Sequence, residues 1–477
     1  MHLPRSRSLR VLAALTTLIA LAAVASGCAS KGGSTATSGS GAGGPNSVAG
    51  GAADQPSQGV TADSVSVGYL IVDIGELSKN LGFVVVDDGG YENVKKGVQA
   101  VVDYVNAHGG AGGRKINPVF RPYTGQNDSP EFAEAQCRAF TQDSQVFAVV
   151  MDGQFQNNAR PCYQAARTIM LDQTPVPLDK EAYDQFSPYL WSTSLPRYDL
   201  FTKSLLTTLQ STGFFTGATG VAVVAPDSEV GRRISSQLAV PYLQSIGVTK
   251  TSQFFIDVSN VGTLGATTSA ALTGAKTQGI NRVITLGGER IEAVMLADVS
   301  AEELNARYSI TSYDNPPFFV DNPDTIVTKS RVGMVGLGIA PSLDARLNSS
   351  PEVFPNPQRP NEGLCKQIVD GAGAAPPTTN RENYRVVFQF CDATLMLKAA
   401  LDKAPKQLTP NAFRDAMWSL GTSYSSALNY GINWSPGVYA PVNVVRGIYW
   451  DDTCSLTGRT SKGCFRFGTA DLPLATG

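Results

Sequence analysis

Histidine is almost missing from this chain: two among 477 residues, His2 and His108. A Ser-His-Asp triad would have to use His108, which sits at the end of a helical stretch, and no GxSxG elbow accompanies it. HExxH cannot be formed. No CxxC pair occurs, so zinc ribbons and thioredoxin-like redox chemistry lack their ligands. Charge is also scarce, at 16% of residues, with a net charge of −2 and no long block of one sign. That balance offers nothing to attract a phosphate backbone, which argues against nucleic acid as a partner. The paired acids Asp87–Asp88 and Asp451–Asp452 read as solvated loops. Nothing in this inventory calls for an enzyme, a metal or a prosthetic group.

The N-terminus has what a folded domain does not need. Arg5, Arg7 and Arg10 precede the apolar run "VLAALTTLIALAAVA", followed by "SGCAS". A basic region, a short apolar stretch and small residues form a secretory signal, too short for a comfortable membrane span. "ASGC" resembles a bacterial lipobox, with Cys28 the residue that is lipidated, although Ala25 stands where Leu is usual. Residues 1–27 are therefore expected to be a lipoprotein signal peptide. Residues 28–61 are expected to be a disordered Gly/Ser/Ala tether, too poor in bulky side chains to fold. Such a coil spans about 30 Å and would hold the following body just off a membrane face. Six cysteines remain: Cys137, Cys162, Cys365, Cys391, Cys454 and Cys464. An even number in an exported chain favours disulfides. Fifteen pairings are possible, and pairing of chain neighbours is expected.

From residue 64 onward short β-rich runs alternate with helical ones. "VSVGYLI" is a strand; "ENVKKGVQAVVDYVNA" sets Val94, Val98, Val101, Val102 and Val105 at helical spacing. "VFAVVM", "GVAVVAP" and "NRVITLGG" are buried strands between helices, and Pro241 is expected to kink the helix that carries it. Alternation of this kind implies parallel sheets covered on both faces. Two series give an α/β fold of two Rossmann-like three-layer lobes. Breaks at 191–199, 312–319 and 433–443 are the candidate crossings of a three-crossing hinge. The expected division is lobe I over 62–193 plus about 315–430, lobe II over 194–314 plus about 431–450, and an extension over 451–477. The glycines of "HGGAGGRK" suggest a phosphate loop. They follow a helix and precede a strand, the reverse of what a phosphate cradle requires, and read as a helix stop.

"SVSVGYL…GVQAVVDYVNAHGGAGGRKINPVF" resembles the start of the type I periplasmic binding proteins of the branched-chain amino acid ABC transporter class. "SPEFAEAQCRAFTQDSQVFAVVMDG" and "GVAVVAPDSEVGRRISSQLAVPYLQSIGV" continue the resemblance, which covers roughly residues 64–320 and weakens toward 450. It implies a clamshell that closes on a small-molecule ligand, no cofactor, an ABC permease as partner, and a monomer held to the bilayer through Cys28. It also implies which loops to inspect. On the first lobe these carry Asp152, Gln154, Phe155, Gln156, Asp172 and Thr174; on the second, Glu289, Arg290, Tyr313 and Asp314. Gln and Asn stand where amino-acid-binding members carry hydroxyl residues, and Val230 replaces a frequent aromatic. The ligand class is thus open among amino acids, amides, small organic acids and aromatic compounds. The same clamshell could instead report occupancy to a signalling protein. An exported α/β enzyme and a cell-wall protein without ligand are more distant readings.

Overall fold

The structure is a computed structural model. It describes residues 53–73, 86–124, 128–153, 156–174, 176–258, 261–298, 303–323, 326, 328–346, 349–350 and 352–476. Cys28, the signal segment and most of the expected tether lie outside them.

The first lobe is built on five parallel strands: β1 (Ser64–Asp73), β2 (Lys115–Thr124), β3 (Ala148–Met151), β4 (Ile169–Asp172) and β5 (Leu190–Ser192). Their order is β2-β1-β3-β4-β5. β3, β4 and β5 are buried on both faces, as the unbroken apolar runs AVVM and IML require. Helix α1 (Tyr91–Ala107) buries all five valines anticipated at helical spacing. It stops where the glycines begin. Gly109 and Gly110 have φ of 90° and 70°, and the Gly110 N–H donates to Val105 O at 2.9 Å. A Cβ on Gly110 would stand 2.1 Å from Arg114 O, so only glycine fits. This is a helix stop and not a phosphate cradle. Helices α2 (Pro130–Arg138), α3 (Arg160–Ala165) and α4 (Lys180–Phe186) follow β2, β3 and β4.

After β5 the chain enters helix α5 (Tyr198–Ser211) and the second sheet. Its parallel strands are β6 (Val221–Pro226), β7 (Thr251–Ile256), β8 (Arg282–Thr285), β9 (Arg307–Thr311) and β10 (Val335–Gly338). They run in the order β7-β6-β8-β9-β10, the same topology as the first lobe. On β6, Val221, Val223 and Ala225 join one core cluster, and Ala222 and Val224 join the other. That split follows from a two-residue period with helices on both faces. The intervening helices are α6 (Glu229–Arg233), α7 (Val240–Ser245), α8 (Val261–Thr277), α9 (Glu289–Ala297), α10 (Pro316–Asp321) and α11 (Thr328–Arg331). Between α6 and α7 lies a π-helical stretch, Ile234–Ala239, directly before Pro241. The expected kink takes that form, because proline has no N–H to continue the α ladder.

Two boundaries differ from expectation. Residues 315–338 stay with the second lobe, because β10 pairs in parallel with β9. The return to the first lobe falls after Gly338, through α12 (Pro341–Asp344), and not at 312–319. α13 (Pro360–Gly371), α14 (Arg381–Leu401) and α15 (Pro410–Trp418) follow, with α13 and α14 packed on α1. The residues after 450 are not a separate appendage. β11 (Val444–Ser455) and β12 (Lys462–Phe467) extend the second sheet antiparallel beyond β10, and β13 (Leu472–Pro473) pairs with β11. The disulfides are Cys137–Cys162, Cys365–Cys391 and Cys454–Cys464, joining α2 to α3, α13 to α14, and β11 to β12. Closing a loop of about 25 residues stabilises by roughly 3 kcal/mol in the chain-entropy view.

Candidate functional site

Three segments cross between the lobes, and one side chain ties them. Asn429, on the third crossing, donates from Nδ2 to Ser194 O of the first crossing at 2.8 Å and to Ile339 O of the second at 3.3 Å. Pro196 and Pro441 form an antiparallel bridge between the first and third crossings. Asp344, fully buried on the second crossing, accepts from Ala340 N at 3.0 Å, from Tyr430 Oη of the third crossing at 2.7 Å, and from the Ser312 hydroxyl of lobe II. Burial pushes its carboxyl up to about 7, against the opposing pull of those donors and of Arg446.

Both sheets reverse direction at the same place in their order. The switch points lie between β1 and β3 in the first lobe, and between β6 and β8 in the second. Ligands of open α/β sheets bind outside the carboxyl ends of the strands at such points. A left-handed glycine marks each. Gly153, just after β3, has φ 76°, and a Cβ there would meet Val72 Cγ1 at 2.3 Å. Gly287, just after β8, has φ 110°, and a Cβ there would meet Pro226 at 2.5 Å and Pro177 of the other lobe at 3.4 Å. The lobes thus approach each other at their switch points. Arg233 of α6 reaches across to Asp179 before α4, Nε to Oδ2 at 2.8 Å and Nη2 to Oδ1 at 2.9 Å.

The residues anticipated as ligand contacts divide sharply. Gln154 and Phe155 lie outside the described residues, as do the side chains of Glu289 and Arg290, which open α9. Asp152 is buried at the end of β3. Gln156 lies in the following loop, its Nε2 3.5 Å from Asp128 O. Asp172, Thr174, Tyr313 and Asp314 are turned into the protein. Asp172 takes Arg160 Nε at 3.1 Å and Nη2 at 2.7 Å on one oxygen, and the Thr174 N–H and hydroxyl at 2.9 Å and 2.6 Å on the other. Tyr313 packs edge-on against Tyr198, and its hydroxyl lies 3.5 Å from Pro196 O. Asp314 caps its own turn, accepting from the Thr311 N–H and hydroxyl at 2.8 Å and 2.6 Å. Loop position suggested ligand contacts. The side chains are consumed by loop geometry, because a short turn after a buried strand must satisfy its own donors first.

Two groups escaped the sequence reading. Glu292, in the first turns of α9, is fully buried beneath the Gly287–Gly288 turn. Burial and then the neighbouring Asp314 hold its carboxyl well above the usual range. A cavity of about 530 Å³ lies between residues of the two lobes. The first lobe lines it with Val86, Asp87, Thr378, Asn380, Glu382 and Asn383, and the second with Asp321 and the Leu456–Arg459 turn of the β11–β12 hairpin. Arg346 of the second crossing closes it. The only sequence signal for this wall was the Cys454–Cys464 spacing, which foretold a hairpin but not what its tip faces. Among the described residues no group of three or more His, Cys, Asp or Glu is arranged to hold a metal, and no helix is long and apolar enough to cross a membrane.

No protein-family model matches this chain, and no curated protein matches it. Solved structures do match in fold. A solute-binding protein of an ABC transporter from Rhodopseudomonas palustris, in complex with p-hydroxybenzoic acid, is 14% identical with a TM-score of 0.58; the match covers 87% of this chain and 98% of that one. An ABC transporter substrate-binding protein from Desulfitobacterium hafniense, in complex with Leu, is 15% identical with a TM-score of 0.51, covering 85% and 100%. A fatty acid ABC transporter substrate-binding protein from Thermomonospora curvata is 13% identical with a TM-score of 0.57, covering 88% and 94%. The chain therefore has the two-lobed α/β fold of the type I periplasmic binding proteins.

Proposed function

We propose that this chain is an extracytoplasmic substrate-binding protein that captures a small polar organic solute, amino acid-like or related, between its lobes. It delivers that solute to an ABC permease, with Cys28 carrying the lipid that anchors it to the outer face of the cell membrane. The observation that supports this most is the facing of two equivalent switch points around a hinge of three crossings tied by Asn429. Contacts that exist only when both lobes meet favour the closed state, and the ligand supplies them. Asp152, Gln154, Phe155, Gln156, Glu289 and Arg290 are the candidate ligand contacts, and Asp172, Thr174, Tyr313 and Asp314 hold the loops that carry them.

A thermal-shift screen against amino acids, amides, organic acids and aromatic compounds tests the reading. A genuine ligand at a hundredfold excess over its Kd adds about 2.7 kcal/mol to stability, a readily measured rise in melting point. Saturable binding without product is expected. Turnover of the bound compound would overturn the proposal. Anchoring is read separately: Cys28→Ser should release the protein from the membrane fraction, and retention there would refute a lipid on Cys28.

A further inference from the structure

One buried cation of this structure is left unspent. Five arginines among the described residues are more than nine-tenths buried: Arg160, Arg331, Arg359, Arg381 and Arg385. A guanidinium has five donors and cannot shed its charge, so its burial calls for acceptors. Arg160 has Asp172, Arg359 has Glu352, Arg381 has Glu362, and Arg331 donates to Phe319 O. Arg385 forms no ion pair and no hydrogen bond among the described residues, although it is only 7% exposed. Its nitrogens are not among the unpartnered polar atoms sealed inside the protein, so the guanidinium borders open space. The acid that feels it is Asp88, on the loop into α1. Burial raises that carboxyl to about 6; the Gly90 N–H opposes the rise, Asp73 at the end of β1 adds to it, and Arg385 opposes it. Asp88 Oδ1 accepts from Gly90 N at 2.8 Å, and no ion pair joins Asp88 to Arg385.

The place of Arg385 in the fold identifies that space. Helix α14 is buried all round from Arg381 to Leu397 except at Gln389. Arg385 stands one turn before Gln389 and one turn after Glu382, on one helical face. Glu382 and Asn383 line the cavity between the lobes. At the other end, the Gln389 carbonyl accepts from Gln173 Nε2, just beyond β4, at 2.5 Å, and Gln173 Oε1 accepts from the Ser194 hydroxyl of the first crossing at 2.9 Å. The guanidinium is thus held between the interlobe cavity, the carboxyl end of β1 and the first crossing, where ligands of open α/β sheets bind. We propose that Arg385 anchors the ligand and takes the carboxylate of a small organic acid or amino acid through two parallel N–H···O bonds. This rests on the solute-binding reading and narrows its ligand to one that carries an acid group. A carboxylate matches the planar fork of a guanidinium. It supplies the acceptors that the fold withholds, so its binding recovers the cost of burying donors unpaired. A primary amide offers one acceptor oxygen and no charge, and a cation offers neither.

The test compares the full chain with Arg385→Met and Arg385→Lys by thermal shift and isothermal titration. The probes are L-alanine, benzoate, hexanoate and succinate, each beside its primary amide, together with any acid found in the wider screen. At least one acid should bind saturably, and its amide at least about tenfold more weakly, the scale of one charge-assisted hydrogen bond. Arg385→Met should cost the acid at least about tenfold and the amide far less. Arg385→Lys should restore only part of the loss, because an ammonium has the charge without the fork. An amide bound as tightly as its acid, or an acid bound equally by Arg385→Met, would overturn the assignment. The unliganded variant gives an independent reading. At pH 5 Asp88 holds its proton, so Arg385→Met removes only an unpaired buried charge, and the melting point should hold or rise. A clear fall would show that the fold itself uses the guanidinium, and would overturn the proposal. If no acid binds while a neutral or cationic solute does, the acid class is overturned and solute binding stands. An empty result in the wider screen would count against solute binding itself, and the proposal would fall with it.

Discussion

Replacing Asp344 by asparagine should stabilise this protein at pH 8 and leave it nearly unchanged at pH 4. The carboxyl is fully buried, and burial raises it from 3.8 to about 7 even though three donors and Arg446 oppose the rise. In the unfolded chain it titrates near the ordinary aspartate value. Between the two, the folded state holds a proton that the unfolded state has released, so stability falls as pH rises through this window. The slope is about 1.4 kcal/mol per pH unit, which accumulates to as much as ~4 kcal/mol at pH 8. Asparagine is neutral throughout. Its carbonyl oxygen can take the place of Oδ2, which accepts from Ala340 N and Tyr430 Oη, and its amide takes the place of Oδ1, which accepts from the Ser312 hydroxyl, so that hydroxyl must turn its hydrogen away. The assay is denaturant unfolding of both proteins at pH 4, 6 and 8, reading the difference between them. The difference cancels the other buried acids, Asp88 and Asp392, each raised to about 6 by burial. A variant destabilised equally at every pH would refute the reasoning, because it would show that Asp344 is ionised in the fold and is valued for its charge.

Asn429→Ala should cost about 2 kcal/mol, since it removes the two hydrogen bonds between crossings, together with the one that Oδ1 accepts from Ser426 Oγ, and leaves the Ser194 and Ile339 carbonyls without that donor; an unchanged denaturation midpoint would show that Asn429 does not tie the crossings. Asp172→Ala should cost about 3–5 kcal/mol, because it strands the Arg160 guanidinium, itself 5% exposed, without its carboxylate; a loss under about 1 kcal/mol in urea unfolding would contradict the buried pairing. Arg233→Ala removes a partly exposed pair between the lobes, so stability should change by under about 1 kcal/mol. The same variant should shift small-angle scattering of the unliganded protein toward a more open form, and an unaltered profile would show that this pair does not hold the lobes together.

Local patterns carried most of the fold because its elements are local events. Five valines at helical spacing, a glycine stop after His108 and unbroken apolar strands each announce themselves within a dozen residues. The Cys-Cys neighbours paired as anticipated because short loops bring them together wherever the surrounding helices pack. The hinge boundary was missed because nothing within 312–345 distinguishes a strand of the first sheet from one of the second. Only the pairing of β10 with β9 decides it. The positions of the candidate loops were legible, since strand ends follow from strand order, but the burial of Asp172, Thr174, Tyr313 and Asp314 on them was not.

The amino-acid sequence alone determined the alternation of strand and helix and the three candidate bridges, because each depends on spacing along the chain. Tertiary structure alone decided which carboxylates meet an arginine, which are buried into neutrality, and that Glu382, Arg346 and the hairpin tip at Arg459 share one cavity. Those residues stand up to 113 positions apart, and no local rule couples them. Their proximity exists only once two sheets and three crossings have folded around it.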